Sequence, residues 1–183
     1  MMLNCLSQIK KKLNRADSGP RTGPNVHLEP DSTFHNPERI TFAGNNYVGP
    51  ECLFFGFGGI EIGDGTIIAH RVEIMTRNHH YDSADLAALP YDTRFDLKSV
   101  TIGSNVWIAS NVLIVPGITI GDGAVVAMGA VVTKDVPSCA VVGGNPAQVL
   151  RFRDREVYER LVKSGHVYMR EKYGSYTSGE LRH

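Results

Sequence analysis

Along the stretch from Ile102 to Pro137 an aliphatic residue returns at every sixth position, at Ile102, Ile108, Ile114, Ile120, Val126 and Val132. A small residue follows most of them, at Gly103, Ala109, Gly121, Ala127 and Thr133, with Val115 the exception. Two positions before the next aliphatic comes Val106, Val112, Ile118, Ala124, Ala130 or Val136. An amphipathic helix repeats its apolar face every three to four residues and a strand every two, so a period of six marks one short unit laid down repeatedly. Six residues make a short strand and its corner. Three such units close a triangular coil, and coils stack about 4.8 Å apart with their backbones paired rung to rung. The pattern therefore predicts an all-β parallel β-helix, with the aliphatic position filling the interior and Gly or Ala turning the corner.

The same beat starts weakly at Leu28, Phe34 and Ile40 and continues through Phe42, Val48 and Phe54. Two extra residues around Gly56 to Gly59 shift the frame before Ile62, Ile68 and Ile74, as expected of a bulge at a glycine-rich corner. From Ile74 to Ile102 the gap is twenty-eight residues, which is not a multiple of six, so part of this segment is thrown out of the coil as a loop over about 79–99. A loop of that length in a compact repeat is usually functional. Before the coil, Leu3, Leu6, Ile9 and Leu13 fall at helical spacing, and the Gly- and Pro-containing stretch from Ser18 to Pro24 reads as a linker. After it, Val157, Leu161 and Val162 stand among charges and predict a terminal helix over Asp154 to Ser164 that caps an end of the coil. The expected organisation is a helix and linker over 1–24, a catalytic β-helix over 25–150 and a helix with a tail over 151–183.

At 183 residues and 42% hydrophobic content the chain is long enough for one domain with a substantial core. Its formal net charge is zero, and apart from Lys10 to Lys12 the basic residues do not cluster, which weakens a nucleic-acid or membrane-surface role. Cys5, Cys52 and Cys139 are too few and too far apart for a disulfide framework or a zinc site. With no signal peptide or long apolar run in view, a cytoplasmic protein is the default expectation.

Four segments carry a family resemblance: Ile-Gly-Ser-Asn-Val-Trp-Ile at 102–108, Pro-Gly-Ile-Thr-Ile-Gly-Asp-Gly at 116–123, Val-Val-Thr-Lys-Asp-Val-Pro at 131–137 and Gly-Gly-Asn-Pro-Ala at 143–147. They closely resemble the hexapeptide-repeat acyltransferases, and more narrowly the galactoside, maltose and xenobiotic acetyltransferase branch, which includes O-acetyltransferases of surface-polysaccharide sugars. The likeness runs from about Leu28 to Arg151. It implies a left-handed β-helix, acetyl-CoA as acyl donor, a homotrimer with active sites between neighbouring subunits, and no metal.

Acetyl transfer from a thioester to a hydroxyl needs a base for the hydroxyl proton, donors for the developing oxyanion and a groove for the long donor. His is the natural base near neutral pH, and there are seven: His27, His35, His70, His79, His80, His166 and His183. In the resembling enzymes the catalytic His follows a Gly or Asn at the start of the protruding loop, a pattern that selects His79 after Asn78, with His80 as the alternative. His70 reads as structural. Matching by motif puts Trp107, Ser110, Met128, Thr133, Lys134 and Arg151 along the acetyl-CoA groove, where Lys134 and Arg151 suit phosphates. Trp107 and Met128 could equally cover the coil. Acceptor contacts are expected from Tyr47, Tyr81, Asp82 and Tyr91, and further from Asn46, Glu51, Phe55 and Arg94, with Asp82 a possible orienter of His79. Two positions depart from the family: a phosphate-binding Arg is replaced by Gln148, and an acceptor-binding Asn of the sugar branch falls at Gly49.

The function expected is an acetyl-CoA-dependent O-acetyltransferase acting on a sugar or polysaccharide precursor, by direct transfer without a covalent enzyme intermediate. A xenobiotic O-acetyltransferase is the nearest alternative. In other classes stand a gamma-type carbonic anhydrase, which shares the coil but holds zinc on three His residues, and a non-catalytic scaffold.

Overall fold

The computed structural model describes residues 19–174, so the helix expected over Leu3 to Leu13, together with Cys5 and the linker's first residue, lies outside the described residues. The six-residue units wind into a three-sided coil. Its first face stacks Arg21–Thr22, Ile40–Phe42, Ile60–Ile62, Val100–Ile102 and Thr119–Ile120 in parallel. The second face stacks His27–Leu28, Tyr47–Val48, Ile67–Ile68, Trp107–Ile108, Val125–Val126 and Ala140–Gly143, and the third stacks Thr33–His35, Leu53–Phe55, Glu73–Met75, Leu113–Ile114 and Val131–Val132.

Register explains the period. Ile62 pairs with Ile102 and Ile102 with Ile120; Ile68 pairs with Ile108 and Ile108 with Val126; Ile74 pairs with Ile114 and Ile114 with Val132. Every one of these side chains points into the prism and is buried. Stacking like on like along each face removes the apolar surface from water, at about 25 cal/mol for each Å² buried. The residue two positions earlier is also enclosed, as at Val106, Val112, Ile118, Ala124 and Ala130. Three residues after Ile102, Ile108, Ile114, Ile120 and Val126, at Asn105, Asn111, Gly117, Gly123 and Gly129, the chain turns through left-handed backbone, which is why Asn and Gly recur there. The small residue directly after the aliphatic has a different cause from the corner turn expected: the next coil passes close to it.

The lower coils are longer than the upper ones because of one edge. Where the third face turns into the first, short 3-10 turns at Pro37–Arg39 and Gly56–Gly58 each insert two residues, so that Arg21 pairs with Thr41 and Thr41 with Glu61. Only the second insertion is visible in the aliphatic spacing. On the next coil the same corner expands into an arm: Arg77–His79 runs out and pairs antiparallel with Phe95–Leu97 coming back. The extruded segment is thus a hairpin with a loop at its tip, rooted where Lys98 N donates to Thr76 O at 3.0 Å.

Helix α1 (Arg155–Lys163) matches the terminal helix expected, with Asp154 as its N-cap accepting from Val157 N at 3.0 Å. A second helix, α2 (Tyr168–Gly174), was not foreseen. Neither caps an end. Tyr158 packs on Gly123, Arg153 donates to Gly123 O at 2.9 Å, and Arg170 pairs with Asp64 at 2.9 Å, so the helices lie along the edge between the first and second faces. The upper end of the second face is closed instead by Gln148–Phe152, which pairs antiparallel with Ala140–Gly143. Cys52 and Cys139 are buried free thiols. Among the described residues no helix is long and apolar enough to cross a membrane.

Candidate active site

Hairpin alternation separates the two adjacent histidines. On the arm Arg77 faces Leu97, Asn78 faces Asp96, and His79 faces Phe95, so side chains at 77 and 79 share one side and the residue at 78 takes the other. The His79 ring stacks on Tyr91, with centroids 3.7 Å apart and planes 19° from parallel, and leans on Phe95 at 4.8 Å. Beyond Phe95 the Arg77 guanidinium lies 4.4 Å from that ring and 3.8 Å from Phe57, tying the arm's root to the 3-10 turn below it. His79 Nδ1 is buried and has no hydrogen-bond partner.

His80 is committed elsewhere. Its Nδ1 is 3.0 Å from Asp96 Oδ1 and its Nε2 is 2.8 Å from Ser83 Oγ, so both ring nitrogens are engaged inside the arm. Ser83 in turn donates to Asp85 at 2.6 Å. Arg94 joins the two ends of the loop: its guanidinium donates to Asp92 at 2.6 and 2.9 Å and to Asp85 at 2.8 Å, while its own amide donates to Asp92 at 2.8 Å. These hydrogen bonds from Arg94, with help from Ser83, lower the Asp85 carboxyl to about 2. Asp92 is also held well below the usual carboxylate range, chiefly by Arg94, whose own guanidinium is held more firmly charged by the two acids. Arg94 therefore clasps the two ends of the loop.

A family description, bacterial transferase hexapeptide of six repeats, matches residues 99–134. Nodulation protein L of Rhizobium meliloti (strain 1021) is 37% identical over 130 residues, 69% of this chain and 67% of that protein. Among solved structures, a galactoside acetyltransferase in complex with coenzyme A superposes with a TM-score of 0.67 at 31% identity, over 75% of this chain and 67% of its own. The hexapeptide-repeat containing acetyltransferase VCA0836 from Vibrio cholerae gives a TM-score of 0.67 at 28% identity, over 80% and 81% of the two chains. The chain belongs to the hexapeptide-repeat transferase family. Its coil is the left-handed β-helix of those enzymes.

Within this hexapeptide-repeat transferase the candidate residues fall on two edges and on the second face. Thr133 and Lys134 are exposed at the corner that follows Val132, on the same third-to-first edge from which the arm carries His79, Tyr81, Asp82 and Tyr91. Trp107, Tyr47 and Arg151 belong to the second face, where Tyr47, Ile67 and Trp107 stand in register and Arg151 lies opposite Val141. Ser110 and Met128 occupy the second-to-third corner, where Gly129 N donates to Ser110 O at 3.0 Å and Ser110 Oγ is 3.1 Å from His70 Nδ1. Trp107 is 53% exposed and Met128 71%.

Some expectations change. His70 sits at this second corner, away from the arm. Asn46 is fully buried, donating to Gly63 O at 2.8 Å and accepting from Gly44 N at 3.0 Å, so it braces the coil and cannot reach an acceptor. No hydrogen bond joins Asp82 to His79. A side chain at Gly49 would bring its Cβ to 2.9 Å from the backbone of Ala69 and His70, so the Asn of the sugar branch has no room on this backbone. Phe95, Arg77, Asp96 and Ser83 were not singled out for the site from sequence. The signal was available in the alternation of Arg77 and His79 against Phe95 and Leu97, which marks a period-two hairpin inside a segment otherwise read as a loop.

Proposed function

We propose that this hexapeptide-repeat transferase is an acetyl-CoA-dependent O-acetyltransferase that moves an acetyl group to a hydroxyl of a sugar or a sugar-containing precursor, with His79 as general base and a homotrimer as the working unit. Supporting it are the galactoside acetyltransferase and nodulation protein L likenesses and the motifs at 102–108 and 131–137. The observation that carries it is the division of the candidate groups between two edges of one prism. The base on the arm, with Thr133 and Lys134 on the same edge, meets the rest of the donor groove on the second face and its corner if the arm of one copy lies against the neighbouring copy, and three prisms side by side achieve this by symmetry.

In the direct reaction His79 Nε2 takes the proton of the acceptor hydroxyl as its oxygen attacks the thioester carbonyl carbon. The C–O bond forms, the C–S bond of the tetrahedral intermediate breaks, and the proton passes from the imidazolium to the departing thiolate. Ser110 stands as donor to the oxyanion, Lys134 and Arg151 as cations for the donor's phosphates, and Tyr81 and Asp82 as acceptor contacts. The filled space at Gly49 supports an acceptor other than a simple galactoside. A three-His metal centre is disfavoured by geometry, because His70 bonds Ser110 at another edge and the hairpin sends His79 and His80 to different partners.

The test is thiol release from acetyl-CoA across a panel of mono- and disaccharides and nucleotide-linked sugars, with sedimentation to give the particle mass. Release with at least one sugar, from a particle of three chains, is the expected result. A single chain in solution, or release that His79→Ala leaves within a few-fold of the parent, would overturn it.

A further inference from the structure

A general base is ordinarily oriented by a hydrogen bond on its second nitrogen, which fixes the tautomer and supports the charge the ring gains. His79 lacks that arrangement. Its Nδ1 is enclosed with no partner, Asp82 does not reach it, and the acid that pairs with a histidine on the arm, Asp96, is taken by His80. What holds the imidazole is aromatic: Tyr91 covers one side of the ring at 3.7 Å in a near-parallel stack, and Phe95, its cross-strand neighbour, leans against it at 4.8 Å.

We propose that Tyr91 is a positioning residue for His79, fixing the imidazole plane by stacking and supporting, through its ring face, the positive charge that His79 carries between taking and returning the proton. The inference rests on His79 being the base. Three features favour Tyr91 over Phe95 as the principal support. The Tyr91 stack is closer and flatter. Phe95 already has the Arg77 guanidinium 4.4 Å from its ring, so its quadrupole is shared with a permanent cation. Tyr91 also comes from the loop next to Asp92, whose buried carboxylate is clasped by Arg94, so the ring is delivered from a braced segment. Tyr91 thereby changes role, from an acceptor contact to a group that acts through the base.

Two measurements test this on the full-length chain. In histidine-labelled protein the ring protons of His79, assigned by their loss in His79→Gln, are expected well upfield in the parent and in Tyr91→Phe, and near the values of an exposed histidine in Tyr91→Leu. In thiol release from acetyl-CoA with the fastest-turned-over sugar of the mono-, di- and nucleotide-linked panel as acceptor, Tyr91→Leu is expected to lower kcat by about 5- to 20-fold with acceptor KM within about twofold, and Tyr91→Phe to restore most of the rate. Parental kcat in Tyr91→Leu would overturn the proposal. So would a loss in Tyr91→Phe equal to that in Tyr91→Leu, or a rise in acceptor KM in place of the fall in kcat, since either makes the phenol an acceptor contact. An active parent without the upfield signal sinks the stack alone, whereas the upfield signal in a parent that releases no thiol with any sugar of the panel sinks the transferase reading.

Discussion

Ile108 and His79 sit in the same chain under opposite conditions. Ile108 has no exposed surface and is stacked between Ile68 and Val126 in a column that repeats along the whole second face. His79 stands on a hairpin outside the coil, between two aromatic rings, with a buried nitrogen that nothing satisfies. In the coil, stability is spread over many equivalent apolar layers, and each layer is set by the ones above and below. In the arm it comes from a few polar contacts centred on Arg94 and a short run of rings, and the proposed base is left under-satisfied. Separating the two lets a stiff column carry chemistry that it does not itself need for folding.

The sharpest way to break the comparison is to exchange the effects. His79→Ala is expected to lower turnover by about 10²- to 10⁴-fold with no change in the urea midpoint of the coil. Ile108→Ala is expected to do the reverse, costing about 2–5 kcal/mol in urea unfolding while the molecules still folded keep their turnover. A loss of stability in the first, or of turnover per folded molecule in the second, would mean that coil and arm are coupled.

A smaller effect follows from the clasp. Arg94→Gln removes the cation from the buried Asp92 and from Asp85. Turnover is expected to fall about tenfold, and amide exchange at Ala87 and Arg94 to quicken, because both amides donate to Asp92; amides within the coil should be unaffected. Unchanged exchange in the arm would show that the aromatic run is sufficient to hold it.

The smallest is a pH effect confined to the arm. Asp85 titrates at about 2, below its ordinary 3.8, because Arg94 and Ser83 hydrogen-bond its charged form. Asp92 is shifted in the same direction by Arg94. A carboxyl lowered in the folded state contributes stability that is complete above the unfolded value and is lost as pH falls through the folded one. Arm amide protection is therefore expected to be level from neutral pH down to about 4 and to decline from there toward 2. A decline that begins near neutral pH would point to a histidine as the element that gives way.

Much of the coil was legible in the order of residues. The six-residue return of Ile and Val fixes which side chains face inward, since a short strand and its corner repeat the same local geometry whatever lies beyond them. The break between Ile74 and Ile102 exposes an extruded segment, and Asp154 before a helical pattern marks the start of α1. Other features depended on contacts distant in sequence. The insertion at Pro37–Arg39 does not show in the spacing because Ile40 and Phe42 are both buried on one strand, so either fits the aliphatic beat. That the terminal helices run along an edge was decided by Gly123 leaving room for Tyr158 and by Asp64 meeting Arg170. Which histidine is free was decided by hairpin register, since adjacent residues on a strand face opposite ways and only pairing shows which side holds Asp96 and which holds Phe95. Periodicity is a property of neighbours along the chain and can be read there; the environment of a single imidazole is made by residues brought to it by folding, and only the folded structure supplies it.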